Sequence, residues 1–309
     1  MATDGKLNLT IICPVFNEQD IIPIFFERVK GVRDKLSDKY EVELLFTNNS
    51  STDQTLPQIL KIRDENPFVY VITISKNVGL QASLECGLRS AKGDLFVFID
   101  VDCEDPPEMI ADFVKIYEEG YDIVYGERAD RDEPKLIMLG RKLFYRVLKA
   151  VADEEVILDM AEFSLITQEV RNAIVEDSSS FPFIRASIGR VGFKRKGIRY
   201  KRQKRIAGQT HFRLLGMAHF AIAGILSSST LFLRLPIYSF FFWLLCVMAV
   251  AITRVYVDSR WIDVLLVLLF ASYFGAAISF MAIYIGRTYK NSLGRPNFII
   301  SENGTFMQK

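Results

Sequence analysis

Apolar residues fall in short unbroken runs through the first two thirds of the chain: LTIICPVF at 9–16, VELLFT at 42–47, FVYVITI at 68–74, LFVFID at 95–100 and YDIVYG at 121–126. The runs recur about 25 residues apart, with helical patterns between them, such as the stretch from Glu18 to Leu36. Strands buried on both faces read in this way, and alternation with helices predicts an α/β fold with a mostly parallel, doubly wound sheet. In such sheets ligands bind beyond the carboxyl ends of the strands.

The last third follows a different pattern. From Pro236 to Val257 the only charge is Arg254, and from Ile262 to Gly286 the only charge is Asp263. Each run is long enough to cross about 30 Å of hydrocarbon. Asp258–Trp261 between them leaves room only for a tight turn, so the two helices form a hairpin. Arg213 and Arg234 precede the pair, and Arg287, Lys290 and Arg295 follow it. The positive-inside rule therefore places both outer ends in the cytoplasm. Residues 214–233 are apolar but broken by Gly and by Ser227-Ser-Ser-Thr230, and are read as helices lying in the interface. The expected organisation is a cytoplasmic catalytic domain over 1–212, interfacial helices over 213–235, transmembrane helices over 236–257 and 262–286, and a cytoplasmic tail over 287–309. The tail segment Tyr289–Ile300 either adds an edge strand to a neighbouring protomer or packs on its own domain.

Composition narrows the class. The chain has 309 residues, half of them apolar, with a formal net charge of +1. That excludes a disordered chain. Four unpatterned Cys and two His argue against a disulfide framework or a zinc site, and the N-terminus lacks the pattern of a secretory signal. The near-zero charge hides an asymmetry: no Asp or Glu lies between Asp177 and Asp258, while Lys and Arg crowd 194–213. No nucleic-acid module accompanies that basic run, so it is read as holding anionic headgroups and a lipid phosphate rather than nucleic acid.

Four polar clusters fall where strands end: Pro14-Val-Phe-Asn-Glu18, Thr47-Asn-Asn-Ser-Ser-Thr-Asp53, Asp100-Val-Asp-Cys-Glu-Asp-Pro-Pro107, and Gly126-Glu-Arg128. Neither G-x-G-x-x-G after the first strand nor a Walker A sequence is present, which argues against dinucleotide and P-loop enzymes. Carboxylates at 100, 102, 104 and 105 repel one another unless a cation sits among them. Hard oxygen ligands suit Mg²⁺ or Mn²⁺ bridging to a diphosphate.

These clusters, with Asn77-Val-Gly79, Arg205-x-x-Gly208 and Gly286-Arg287-Thr-Tyr289…Arg295-Pro296, resemble the polyprenol-phosphate sugar transferases of glycosyltransferase family 2, along almost the whole chain. The resemblance implies a GT-A fold, a nucleotide-sugar donor, Mg²⁺ or Mn²⁺, and a polyprenyl (undecaprenyl) phosphate acceptor. It also implies a multi-pass protein of the cytoplasmic (inner) membrane that assembles as a homo-oligomer, tetramers among the forms. Carried over, Pro14, Phe16, Glu18, Asn48, Asn49 and Asp53 would bind the donor. Asp100, Asp102 and Glu104 would hold diphosphate and metal. Arg128, Arg141, Arg202 and Arg205 would take the acceptor phosphate, and Asp159 would orient or deprotonate the acceptor.

A lipid monophosphate is already ionised near neutral pH, so orienting cations matter more than a strong base. The implied reaction is inverting transfer of a hexose or N-acetylhexosamine, with UDP ahead of other carriers. Three positions depart from the family pattern: Asn48-Asn49-Ser50-Ser51 for Asp-Asp-Gly-Ser, Ala161-Glu162-Phe163-Ser164 for Gly-Asp-Phe-Arg, and Gly208-Gln-Thr210-His211-Phe212 where Ser-Lys-Tyr/Phe is common. All three surround donor and acceptor recognition. The alternatives are a membrane-tethered sugar-nucleotide-binding or assembly subunit without turnover, and a transferase acting on another glycolipid.

Overall fold

The computed structural model describes residues 5–129, 157, 160–176, 182–203, 226 and 229–307. The first half is a regular alternation: β1 (Leu7–Val15), α1 (Ile22–Leu36), β2 (Tyr40–Asn48), α2 (Thr55–Glu65), β3 (Val69–Ile74), α3 (Leu80–Ser90), β4 (Leu95–Phe98), α4 (Ile110–Glu118) and β5 (Ile123–Ala129). Then come β6 (Met160–Thr167), α5 (Gln168–Val175), α6 (Ile184–Arg190) and β7 (Arg195–Lys201). The long helices α7 (Leu231–Tyr256) and α8 (Arg260–Ser292) lead to a last strand, β8 (Ile300–Phe306).

The strands form one sheet in the order β7-β5-β6-β4-β1-β2-β3-β8. β1 pairs in parallel with both β2 and β4, and β2 with β3. The winding direction therefore reverses between β1 and β4, and the crevice beyond their carboxyl ends is the expected ligand position. β6 runs antiparallel between β4 and β5, and β8 antiparallel on β3.

Successive residues of the central strands serve two cores. Leu9, Ile11, Cys13, Leu44 and Phe46 pack with Phe25, Val29, Ile59 and Phe113 from α1, α2 and α4. Ile12, Leu45 and Ile72 pack with Leu84, Leu88, Val170 and Ile188 from α3, α5 and α6. This period of two, with helices over both faces, explains why the strands read as continuous apolar runs. Gly87 lets α3 lie against the sheet, because a Cβ there would collide with Ile12 and sit 3.0 Å from Thr47. That close approach brings the start of α3 up to the ends of β2 and β3.

α7 and α8 pack together through Trp243, which stacks on Tyr273 with ring centroids 4.5 Å apart and donates to the Leu269 carbonyl at 3.1 Å. The Tyr273 hydroxyl donates to the Pro236 carbonyl at 2.5 Å. Both helices outrun their apolar spans. α7 begins at Leu231, where the Ser229 hydroxyl accepts its amide at 3.0 Å, and α8 continues through the polar turn from Arg287 to Ser292. Both are long and apolar enough to cross a membrane. Of the two fates open to the tail, packing on its own domain is the one observed: β8 adds to the edge of its own sheet.

Candidate active site

The loops after β1 and β2 are joined by hydrogen bonds that run in both directions. The amide of Asn17 donates to the Ser51 hydroxyl at 3.1 Å, and the amide of Thr52 donates to the Asn17 side-chain carbonyl at 2.8 Å. The amide of Glu18 reaches the Thr55 hydroxyl at 2.8 Å, and that of Gln19 the Asp53 carboxylate at 3.3 Å. Asp53 also accepts from the amide of Thr55 at the start of α2, at 3.0 Å. Burial works against its charge, but these bonds prevail and hold its carboxyl below the usual range.

Asn48 and Asn49, both buried, extend this network. Asn49 donates to the Asn77 side chain at 3.1 Å and accepts from the amide of Val78 at 2.9 Å, so the end of β2 is tied to the start of α3. Asn48 accepts from the Ser51 amide at 3.0 Å and donates to the Thr73 hydroxyl at 3.4 Å. Thr73 in turn donates to the Gly304 carbonyl of β8 at 2.7 Å. Pro14 is buried at the end of β1, and Phe16 and Glu18 are half-buried beside it.

The third loop carries the carboxylates. Asp100 is half-buried and Asp102 almost wholly buried. Burial, then the charges of Asp102, Asp105 and Glu162, push Asp100 up to about 7 against the pull of Arg128. Asp105 is fully buried and is gripped by three groups. Arg128 lies 3.0 Å away, Arg202 3.7 Å, and the Tyr200 hydroxyl donates to it directly. Burial opposes the charge on Arg128, yet Asp105 more than restores it and the guanidinium is held firmly cationic. Glu104 pairs with Arg202 at 2.6 Å.

Opposite them on β6 stands Glu162, also buried, which accepts from Gln81 of α3 at 3.1 Å and pairs with Arg185 of α6 at 3.1 Å. Among the described residues, Asn17, Ser50 and Cys103 are the non-glycine positions with left-handed backbone, at φ 54°, 61° and 56°. One falls in each of the three loops. Strained backbone concentrates where function over-determines it.

Residues 10–174 match the family described as Glycosyl transferase family 2. The chain belongs to glycosyltransferase family 2. An uncharacterized glycosyltransferase, YkcC, of Bacillus subtilis is 30% identical over 96% of this chain and 94% of its own length. A prophage bactoprenol glucosyl transferase homolog of Escherichia coli is 29% identical over 95% of this chain and 98% of its own. Among solved structures, a mannosyltransferase from Pyrobaculum calidifontis in complex with GDP-Man and Mn²⁺ is 17% identical, at a TM-score of 0.45, over 93% of this chain and 88% of that one.

This glycosyltransferase has the GT-A fold that the resemblance implied, with β6 and the edge strand β8 antiparallel in a mostly parallel sheet. Ser50 stands where the family pattern has Gly, and its left-handed backbone supplies the reason for Gly there. Pro14, Phe16, Glu18, Asn48, Asn49, Asp53, Asp100, Asp102, Glu104, Arg128 and Arg202 all lie on the loops and strand ends around the crevice. Asp159, Arg141 and Arg205 fall outside the described residues, as does most of 213–235.

Three groups at the site were not singled out from the sequence, Tyr200, Gln81 and Arg185, and two were named there without the partners they hold, Asp105 and Glu162. Glu162 carried a signal, because it occupies the altered Gly-Asp-Phe-Arg stretch. Gln81 and Arg185 carried none. The acidic cluster suits a cation: burial first, then the charge of Asp102, works against an ionised Asp100, and a cation would offset both. Among the described residues no group of three His, Cys, Asp or Glu side chains is placed to hold a metal. Two carboxylates suit Mg²⁺ or Mn²⁺, which keep waters and substrate phosphate oxygens as their other ligands.

Proposed function

We propose that this glycosyltransferase moves a hexose or N-acetylhexosamine from a UDP-sugar to a polyprenyl phosphate at the cytoplasmic face of a membrane, with inversion. The observation that carries the reading is the convergence of Asp100, Asp102 and the paired Arg128 on the crevice where β1 and β4 part, in a chain that ends in two apolar helices. Relatives named as bactoprenol glucosyl transferases over nearly their full length support the acceptor class.

In this reading the stitched loops of Pro14–Glu18 and Asn48–Asp53 cradle the nucleotide, and the bonds that lock them remove the need to order them on binding. Asp100 and Asp102 would hold Mg²⁺ or Mn²⁺, which offsets charge on the departing diphosphate. Asp105 and Tyr200 fix the Arg128 guanidinium, and Arg202 also reaches Asp105. Together with Arg141 and Arg205 these two arginines orient the acceptor phosphate. A phosphate oxygen attacks the anomeric carbon as the bond to the UDP oxygen breaks, and UDP leaves with the electron pair. The attacking oxygen is already ionised, so no proton has to move. Asp159 is assigned a positioning role.

The tail supports the topology. β8 rests on β3, so the end of α8 lies on the same side as the catalytic domain and the number of crossings between them is even. Two crossings by α7 and α8 satisfy this. At the far turn Arg254 pairs with Asp258 at 2.9 Å and Asp263 at 2.7 Å, so that end bears little net charge.

The test is purified protein with undecaprenyl phosphate, Mn²⁺ or Mg²⁺ and a panel of UDP-, GDP- and CDP-sugars, scored by mass spectrometry of lipid-linked product. A single metal-dependent product is expected. Asp102→Asn is expected to lower turnover by about a thousandfold, the scale of losing several kcal/mol of charge stabilisation. Unchanged turnover in that variant would remove the assigned role of Asp102, and nucleotide binding without any product would remove the proposed reaction.

A further inference from the structure

A cavity of about 300 Å³ opens where α8 leaves its apolar stretch and meets the catalytic domain. It lies away from the carboxylates: its α3 residues, Glu85 to Arg89, are four to eight positions beyond Gln81, or about 6–12 Å along the helix. Four helices contribute, α5 through Ile174 and Val175. α8 presents Tyr284, Arg287, Thr288 and Asn291, spaced as one helical stripe; α6 presents Ser187 and Arg190; α3 presents Glu85 and Arg89.

The charge in this cavity is lopsided. Among the described residues, Arg89, Arg190 and Arg287 line it with a single carboxylate, Glu85. That carboxylate accepts from Arg89 at 2.7 Å and from the Asn297 amide at 2.8 Å, so it is engaged twice. Arg287 lies two positions beyond Ile285, at the end of the apolar stretch of α8, and Tyr284 donates to the Ser229 carbonyl at 2.9 Å. If the hairpin crosses a membrane, this is the depth of lipid phosphates, where Arg and Tyr sit at the boundary. Beside the cations, Leu88, Ile174 and Phe183 give the cavity an apolar wall suited to the start of an acyl chain. Guanidinium groups match phosphate geometry with paired hydrogen bonds.

We propose that this cavity binds the phosphate of an anionic membrane phospholipid and so fastens α3 and α6 of the catalytic domain to the bilayer, apart from the acceptor site. The inference rests on the reading of α7 and α8 as a membrane hairpin. The motif Gly286-Arg287 thereby gains a role that the transfer reaction does not give it.

The full chain, Arg190→Gln, Arg287→Gln and Arg287→Lys are placed in nanodiscs of phosphatidylcholine alone or mixed with phosphatidylglycerol. After return to detergent, native mass spectrometry counts retained lipid. The unaltered chain is expected to keep phosphatidylglycerol in preference to phosphatidylcholine. Each Gln variant is expected to keep it about tenfold more weakly, the scale of one charge-assisted hydrogen bond, with Arg287→Lys between. Arg190 is exposed, so its variant retains the fold even where a change at Arg287 does not. Equal retention of both lipids by the unaltered chain, or Gln variants that match it, overturns the proposal. Displacement by inorganic phosphate makes this a soluble-anion site, and displacement by an equal amount of polyprenyl phosphate makes it an acceptor site; either result also overturns it. A chain that carbonate washes from membranes overturns the hairpin reading itself.

Discussion

The same residue types do opposite things in the two halves of this molecule. In the sheet Phe98 is 1% exposed, enclosed by α3, α5 and β6; in α7 Phe241 is 69% exposed and touches nothing that would hide it from solvent. Burial drives the first arrangement, since apolar area removed from water is the main favourable contribution to folding. The second fits the proposed membrane hairpin, in which each helix satisfies its own backbone and turns its apolar surface to lipid. Polar residues divide the same way. In the domain they gather at strand ends in bonded networks; in the hairpin the charged ones are confined to the ends, and mid-helix hydroxyls such as Ser272 and Ser279 bond back to their own helix.

One substitution made in both places tests the contrast with the largest expected effect. Phe98→Ala should cost about 3–5 kcal/mol of domain stability, because it opens a cavity in a packed core. Phe241→Ala should leave the domain within about 0.5 kcal/mol of the parent. Urea unfolding in detergent, followed by circular dichroism, separates the two. A large domain loss from Phe241→Ala would mean that α7 is packed in a water-excluded core rather than in lipid.

A smaller effect probes the domain's lower end. Glu43 of β2 is buried, and burial followed by the neighbouring Glu41 pushes its carboxyl up to about 7 against the pull of Lys92. Between about pH 4.5 and 7 the folded chain therefore binds more protons than the unfolded chain, so stability falls as pH rises through that window. Glu43→Gln should match the parent near pH 4 and exceed it near pH 8 by on the order of 1–3 kcal/mol. Equal stability at pH 8 would show that Glu43 ionises without penalty. The elevated value at Asp100 has the same first cause, yet Asp100 stands at the substrate crevice and Glu43 at the far end of the sheet. A shifted carboxylate points to a site only when its place in the fold agrees.

A third test reaches across both regions. Thr73 gives its hydroxyl proton to Gly304 of the tail and receives the Asn48 amide. In Asn48→Asp the carboxylate has no proton to give, so Thr73 must turn away from the tail or face a lone pair. The expected loss is about 1 kcal/mol, read as faster amide exchange in β8. Unchanged exchange would show that tail and nucleotide loop are independent.

What could be read from the sequence follows the physics of each element. β1 to β5 were visible because strands covered on both faces are apolar throughout. β7 reads RKGIRYK and β8 reads ISENGTF; both are edge strands with a polar face, so their composition resembles that of loops. The strand-end clusters could be found because the doubly wound pattern says where ligands bind. Gln81, Glu162 and Arg185 could not be grouped, since the first two lie 81 positions apart and the last two 23. Only the packing of α3 and α6 against β6 brings them together.

The smallest effect concerns the strain in the bonded loops. Ser50 and Asn17 both have left-handed backbone, which costs an L-residue roughly 1–2 kcal/mol. Glycine removes that cost but adds back roughly 0.5–1 kcal/mol of unfolded-chain entropy. Ser50→Gly, which restores the family residue, should therefore stabilise the domain by about 0.5 kcal/mol. Asn17→Gly relieves the same strain but deletes the side-chain carbonyl that accepts from Thr52 at 2.8 Å, a loss of about 1 kcal/mol, so it should be neutral or destabilising. Matched urea unfolding of the two variants measures the sign of each. If both gain equally, the side chain of Asn17 does not join the two loops; if both lose, the left-handed backbone carries no strain at these positions.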